Sequence, residues 1–498
     1  MTTAEQGPVD AELRERAAEA VRTRPESIAT DPWRLAFHVQ PPVGLLNDPN
    51  GLVHFNGEWH LFYQYNPYAD VWWHMHWGHA VSKDLLHWKH LPIALHEDEA
   101  AGVMIFSGSA AVDWPNTSNR GSTEAPALIA AYTGHREGEE DQRLAYSVDA
   151  GRTWVNDAHN PLIRIGAKDF RDPKLFWHEP TQRWIMACAI PDAHQVRFYG
   201  STDLRAWQHL SDFGPAGAIS SIWECPDLFA LKVDGDPNQI KWVLKVDHSA
   251  TINDHAGAQI FIGQFDGEQF ICDDPPARIR PIDHALDFYA AQSWNDAPAG
   301  RHVWLGWMTH WSYAGKLPTS PWRGMMNAPR ELALRTFDDG IHLTQQPVQE
   351  IEATRVAHAT LANVAASQAT IDVKGTALDI AVTFAAKGAS PFGLHVRVGA
   401  AERTTIGYDP QAGALFVDRS ASGDVSFSPH FTERHVVELP LKDDVLSLRV
   451  LVDAQSVEVF ANEGRIVLSV LIFPSEESDG IGLFGDAMVK ALDVWRLQ

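Results

Sequence analysis

Cysteine is scarce in this 498-residue chain, which holds only Cys188, Cys225 and Cys272. An odd, sparse set is no disulfide framework, so packing and hydrogen bonds must hold the fold. Basic residues are also short: 40 Lys and Arg stand against 64 Asp and Glu, a formal charge of −24. That deficit argues against a nucleic-acid partner, which needs clustered cations to displace phosphate counterions, and against an anionic membrane surface. No apolar run approaches the ~18 residues that span a bilayer. Met1 to Arg24 has no apolar segment of the secretory kind, and cytoplasmic residence is the expectation. What is present is a hydrophobic fraction of 45% with 21% charged residues, enough for a sizeable core. The length exceeds what one core organises, so two domains are expected, with a neutral, soluble partner.

Aromatic usage places the division. Eighteen of nineteen Trp precede residue 346, as do all three Cys and 20 of 24 His. Beyond Pro347 the chain turns to alternating Val, Ala, Thr and Leu, as in Leu378 to Phe384, Leu394 to Val398, Ser447 to Val450 and Ser456 to Phe460. Asn462-Glu463-Gly464 then supplies a hairpin turn before Arg465 to Leu468. Short alternating strands with polar turns predict an antiparallel β-sandwich over 355–498, after a linker from Gln345 to Thr354. At the other end, 1–30 is expected to be a helical extension, with a short exposed helix over Ala11 to Arg22.

The stretch 31–346 contains a repeat. Ser82-Lys83-Asp84-Leu85-Leu86-His87-Trp88 resembles Ser201-Thr202-Asp203-Leu204-Arg205-Ala206-Trp207, with a looser copy at Ser147 to Trp154 and a degenerate turn at Phe265 to Phe270. Each copy sits between β-like runs. Strand-built repeats of roughly 50 residues or more indicate a β-propeller, and the span from Phe37 to Gln345 at a period near ~60 predicts five blades. The expected fold class is all-β: a five-bladed β-propeller followed by a C-terminal β-sandwich.

Three acids each open a proline-punctuated motif in a different expected blade: Asp48 in Asn47-Asp48-Pro49-Asn50-Gly51, Asp172 in Arg171-Asp172-Pro173, and Glu224 in Trp223-Glu224-Cys225-Pro226. A following proline favours an extended conformation at the acid and removes a ladder donor, which suits the start of an innermost strand. Acids from separate blades would then converge at one end of the central channel. Alone, any one of these motifs reads better as the start of a turn.

Together and in this order, the motifs resemble glycoside hydrolase family 32, which holds invertases, levanases and exo-inulinases. The resemblance continues through Tyr63-Gln64-Tyr65-Asn66-Pro67, Trp77 to Ser82, Phe106-Ser107-Gly108-Ser109, Asp287-Phe288-Tyr289-Ala290, Pro329-Arg330-Glu331-Leu332 and Ser456 to Phe460. It implies a retaining β-fructofuranosidase acting on terminal fructosides, with Asp48 as nucleophile, Glu224 as general acid/base and Asp172 as a transition-state stabiliser that holds fructose hydroxyls. One carboxylate attacks the anomeric carbon while a protonated acid assists the leaving oxygen, and a retaining pair sits about 5–5.5 Å apart. Arg171 is expected to keep Asp172 ionised. The resemblance places Asn47, Gln64, Trp72, Phe106, Ser107, Arg171 and Trp311 around the sugar, where amides and a guanidinium give directional hydrogen bonds and rings cover a C–H face. No cofactor and no metal are implied.

Other chemistries fit less well. His74 and His76 would share one face of a strand, but no Cys or acid accompanies them at ligand spacing. Glu137-Gly138-Glu139-Glu140-Asp141 reads as a solvated loop. There is no G-x-S-x-G elbow, P-loop or H-E-x-x-H motif. The alternatives are a fructosyltransferase using the same site and a non-catalytic carbohydrate-binding protein, which would have no need of both Asp48 and Glu224.

Overall fold

The computed structural model describes residues 8–248 and 257–498 and is built almost entirely of strands. The first seven residues of the expected helical extension lie outside the described ones. From Pro8 the chain is helical to Arg22, with a short 3₁₀ turn at Glu26–Thr30. The helix packs on the strand Lys89–Leu95, burying Ala17, while Ile28 of the 3₁₀ turn is buried as well, so the extension is docked rather than simply exposed. Between it and the propeller lies a cavity of about 730 Å³, lined in part by Ala17, Val21, Ile28, Arg34, Tyr63 and Trp154.

Five sheets follow, each a meander of neighbouring antiparallel strands. Blade 1 runs Gly44–Phe55, Glu58–Asn66, His76–Ser82 and Lys89–Leu95; blade 2 starts at Met104–Val112, blade 3 at Arg171–His178, blade 4 at Trp223–Lys232 and blade 5 at Tyr289–Ser293. These first strands touch one another in a closed ring around the axis. Trp322–Arg323, from blade 5, pairs in parallel with Gly44 and Leu45 and helps to close the ring, as does the His54 N–H to Asn295 carbonyl bond of 2.9 Å.

The repeat is the turn between the third and fourth strands of blades 1 to 4. Asp84 accepts from the backbone N–H of Leu86 and His87, Asp149 from Thr153, Asp203 from Arg205 and Ala206, and Asp266 from Glu268 and Gln269. A short acid bonded to the backbone two to four residues on builds the turn without ladder partners. The Ser before it, at 82, 147 and 201, bonds the same carboxylate.

The stretch Gln345 to Thr354 is less of a linker than expected. Gly340–Pro347 is the last strand of blade 5, and Gln349–Thr354 is a 3₁₀ helix. The sandwich follows as a six-stranded sheet against a five-stranded one. Its core is aliphatic, with Leu378, Ile380, Val382, Leu394, Val450, Val459 and Val494 among the buried residues. The Asn462-Glu463-Gly464 turn touches the propeller: the Gln345 N–H donates to the Gly464 carbonyl at 2.9 Å. At φ +77°, a Cβ at Gly464 would lie 1.7 Å from the Gln345 carbonyl oxygen, so only glycine fits.

The domains are joined by buried charge. Arg330 of blade 5 donates to Glu458 at 2.7 Å, to Ser469 at 2.6 Å and to Asp283 at 3.3 Å, and all four residues are inaccessible to solvent. His38 lies between Asp453 at 2.7 Å and Glu458 at 2.9 Å. Burial alone would push His38 down, but bonds to two carboxylates outweigh it and raise its pKa from 6.5 to about 9. Because the folded value lies above the unfolded one, this stabilisation is complete below about pH 6.5 and is lost as pH rises through about 9. The gap corresponds to ~3 kcal/mol. The unfolding free energy is therefore expected to fall by about that amount between about pH 6 and pH 10, and a His38→Gln variant should lack this slope. Parallel pH profiles for the two proteins would refute the assignment.

Candidate active site

The first strand of every blade carries one extra residue at the same level. Asn47 and Asp48 oppose Gln64; Phe106 and Ser107 oppose Thr133; Asp172 and Pro173 oppose Cys188; Cys225 and Pro226 oppose Val246; Ala290 and Ala291 oppose Gly306. Such β-bulges end regular pairing and re-aim side chains, here five times around one axis. They also correct the expectation of an extended backbone at one of the three acids, Asp172. Asp172 has φ +64°, Cys225 +47° and Ala290 +54°. Proline removes a ladder donor where the bulge has no acceptor for it. The freed amides find other partners: the Asp172 N–H donates to Thr133 Oγ1 at 2.9 Å and the Cys225 N–H to Asp172 Oδ2 at 2.8 Å.

The three acids meet across blades 1, 3 and 4. Asp48 is 8% exposed and Asp172 3%. Asp48 Oδ2 accepts from the Ser107 hydroxyl at 2.7 Å and lies 3.8 Å from the Cys225 sulfur, while Oδ1 accepts from the Asn47 amide at 3.2 Å. Glu224 Oε1 accepts from Arg171 Nη1 at 2.9 Å, and its Oε2 from the Tyr289 hydroxyl. Cys225 thus touches both aspartates and adjoins the glutamate.

Burial pushes Asp48 above its ordinary value, the Glu224 charge adds to the rise, and the bonds from Ser107 and Asn47 oppose it. Asp172 is pushed up to about 8, by burial first and then by Glu224. Arg171 pulls it down, as expected of a neighbouring cation, but is outweighed. The reason is geometric: its guanidinium is committed to Glu140 at 3.0 Å, to Glu224 and to Asp169. Below, Lys245 pairs with Asp247 and donates to the Cys225 carbonyl at 2.9 Å, holding the bulge after Glu224.

The remaining expected site residues connect to the acids by hydrogen bonds, chain neighbours and ring contacts. Asn47 and Gln64 are each 2% exposed, and among the described residues Asn47 Oδ1 and Gln64 Nε2 have no hydrogen-bond partner. Such buried, unspent polar groups are free for a ligand's hydroxyls. Phe106 stacks on His135 at 4.1 Å and meets Trp72 edge-on at 5.7 Å. Trp311 stands edge-on to Trp307 at 4.8 Å and to Tyr289 at 6.2 Å. Trp72 and Trp311 are 41% and 39% exposed, whereas Trp77, Trp184, Trp223, Trp304 and Trp322 are buried.

Two sequence expectations fail here. Glu140 is not in a solvated loop: it lies in the strand Glu139–Ser147, fully buried, accepting from Arg171, from the Phe170 N–H at 2.8 Å and from His135 at 2.9 Å. Nothing in an acidic run distinguishes a paired buried acid from a solvated one. His74 is not in the strand with His76 but precedes it with φ +51°, and its Nδ1 bonds Glu97 at 2.8 Å. Acids do accompany it: donor atoms of His74, Glu97 and Glu99 lie within 4.8 Å of one another, with Arg16 paired to Glu99. Tyr289 was missed as a site residue although its segment carried the resemblance.

Two mutually repelling carboxyls, a third acid, unpaired amides and exposed indoles at one end of a propeller axis define a carbohydrate-cleaving enzyme, a glycoside hydrolase. The chain belongs to glycosyl hydrolases family 32: residues 38–347 match its N-terminal domain and residues 345–496 its C-terminal domain. It is 44% identical to a levanase of Bacillus subtilis over 94% of this chain and 70% of the relative, and 36% identical to an extracellular exo-inulinase of Aspergillus awamori over 90% of each. The crystal structure of exo-inulinase from Aspergillus awamori superposes with a TM-score of 0.88 at 34% identity, covering 94% of this chain and 99% of that one. A β-fructofuranosidase from Schwanniomyces occidentalis complexed with fructosyl-erythritol gives 0.85 at 29% identity, covering 93% and 97%.

Proposed function

We propose that this enzyme is a retaining, exo-acting β-fructofuranosidase, releasing terminal fructose from sucrose and from the ends of fructans through a covalent fructosyl-enzyme intermediate. The observation that carries the proposal is the placement of Asp48, Asp172 and Glu224 on bulged first strands of three blades, in a chain of this family. In the proposed first step Asp48 Oδ attacks the anomeric carbon while Glu224 gives its proton to the departing glycosidic oxygen. Ser107 and Asn47 hold the Asp48 carboxylate so that one lone pair faces the sugar. Arg171 and Tyr289 hold both oxygens of Glu224 in the plane where that proton is given up. In the second step Glu224 takes a proton from water, which attacks the same carbon and frees Asp48, so configuration is retained. Burial and the Glu224 charge raise Asp172 and so favour its protonated form, which can both donate to and accept from a pair of fructose hydroxyls.

Levanase and exo-inulinase relatives, together with the exposed indoles of Trp72, next to Phe106, and Trp73, next to Trp72, support fructan ends as substrates. The test is fructose release from sucrose, inulin and levan at equal fructosyl concentration. Release from all three is expected, with fructose and no fructo-oligosaccharides cut from the ends of the polymers. Sucrose cleavage alone would restrict the substrate class, and no release would refute the proposal. Adding methanol as acceptor should trap methyl β-fructofuranoside; the α-anomer would refute retention.

A further inference from the structure

Two chain segments beside the acids end on one buried guanidinium of the other domain. Asp287 lies two residues before Tyr289, whose hydroxyl holds Glu224, and Tyr313 lies two residues after Trp311. Asp287 Oδ1 accepts from the Tyr313 hydroxyl. Asp287 Oδ2 accepts from Arg419 Nη1 and from the Leu471 N–H at 2.7 Å. Arg419 Nη2 completes the triangle, donating to the Tyr313 hydroxyl at 3.1 Å. Arg419 belongs to the sandwich, following the strand Ala414–Asp418. It is 0% exposed, like Asp287, and Tyr313 is 1% exposed.

The guanidinium has little freedom of its own. Nε donates to the Phe431 carbonyl at 2.7 Å and Nη1 also to the Leu471 carbonyl at 3.3 Å, while its plane lies 3.9 Å from the Phe431 ring. Tyr313 meets the same ring edge-on at 5.4 Å. Trp311, by contrast, sits on a turn held locally by short bonds back to His310, with the Tyr313 and Ala314 N–H groups donating to its carbonyl at 3.1 and 2.9 Å. Among the described residues, the aromatic contacts of its indole are edge-on ones with Trp307 and Tyr289. A half-exposed ring on such a turn keeps its place only if the turn is anchored, because ordering it costs conformational entropy.

We propose that Arg419 is a positioning residue for the active site: through Asp287 and Tyr313 it fixes the Trp311 turn and the Tyr289 strand, and so sets the platform that holds the terminal sugar. The sandwich then does more than cover one side of the propeller. This inference rests on the fructosidase proposal, since the platform is defined by the sugar it holds. A residue that merely joined the domains would affect stability and leave the affinity of folded enzyme for fructose unchanged.

The test is a double-mutant cycle on the full chain with Tyr313→Phe, Trp311→Ala and the pair, reading KM for sucrose, the inhibition constant of fructose and thermal stability. Tyr313→Phe keeps the ring and removes only the hydroxyl, so it should fold. Losing a hydrogen bond to a charged partner should raise KM and the fructose inhibition constant about tenfold, with a smaller effect on kcat. In the Trp311→Ala background the same change should shift them less than about twofold, because the group being positioned is gone. Arg419→Lys, which keeps charge but loses the planar fork, should move both constants in the same direction as Tyr313→Phe. Asp453→Asn weakens the same domain interface without touching either segment; it should lower thermal stability at unchanged KM. The inference is overturned if Tyr313→Phe leaves both constants near wild type, if its effect multiplies fully onto Trp311→Ala, or if Asp453→Asn raises them equally. A wild-type protein that releases no fructose from sucrose would instead overturn the functional proposal.

Discussion

Glu224→Gln is expected to lower kcat on sucrose by ~10²–10⁴, a rise of about 2.7–5.4 kcal/mol in the barrier. Glutamine preserves the size of the side chain, and its carbonyl can still accept from Arg171 or Tyr289, so binding should be little altered. What it cannot do is deliver a proton to the glycosidic oxygen. The loss should therefore depend on the leaving group. With fructosyl fluoride, whose fluoride departs without a full proton transfer, the first step should be far less impaired than with sucrose. Asp48→Asn should fail on both substrates, because no carboxylate remains to attack. A Glu224→Gln enzyme within about tenfold of wild type on sucrose, or equally slow on both substrates, would remove Glu224 from the acid/base role.

The second large effect concerns the domain interface. Arg330→Met is expected to destabilise the protein by ~3–5 kcal/mol, because it leaves Asp283 buried without its cation and Glu458 with His38 as its remaining one. The methionine fills the stem's volume and gives up the guanidinium's contacts with the Phe288 and Phe460 rings, so packing loss is the smaller part. Denaturant unfolding followed by tryptophan fluorescence would measure it. A change under about 1 kcal/mol would mean that His38 and the surrounding N–H groups carry the carboxylates unaided. Burial pushes Glu458 up, yet Arg330 and His38 hold it down at about 2, so its share of the stability is present at neutral pH and is lost only as pH falls from about 4.5 through 2. That shift and the rise at His38 describe partly the same contact and do not add.

Much of the architecture was legible in the chain because it is written in local chemistry. An acid that caps its own turn needs only its next few residues, so Asp84, Asp149, Asp203 and Asp266 mark the blades whatever the rest of the fold does. Alternation from Leu378 to Phe384 likewise reports one buried face and nothing further. The acids were legible for a related reason: proline after Asp48 and Asp172, and one residue after Glu224, marks strand positions that give no ladder hydrogen bond. The backbone shape at those positions was not. Sterics before proline favour extended conformations, and Asp172 adopts φ +64° only because Thr133 in blade 2 and the opposing strand of its own blade accommodate the bulge.

What the sequence by itself determined is the set of ingredients: an all-β chain, a repeat of capped turns, three proline-marked acids and a run of indoles. Tertiary structure alone decided how they are used. It sorted the tryptophans, leaving Trp72 and Trp311 half-open while burying Trp184 and Trp304. It turned an apparently solvated acid, Glu140, into a buried partner of Arg171, and so drew Arg171 away from Asp172 and onto Glu224. It also joined Asp287 to Arg419, 132 residues apart. The physical reason is range. Turn capping and alternation act over a few residues and leave a local trace, whereas burial, charge pairing and desolvation depend on which distant groups arrive within a few ångström. No window of sequence contains that information, and it sets the protonation and the aim of every group in this site.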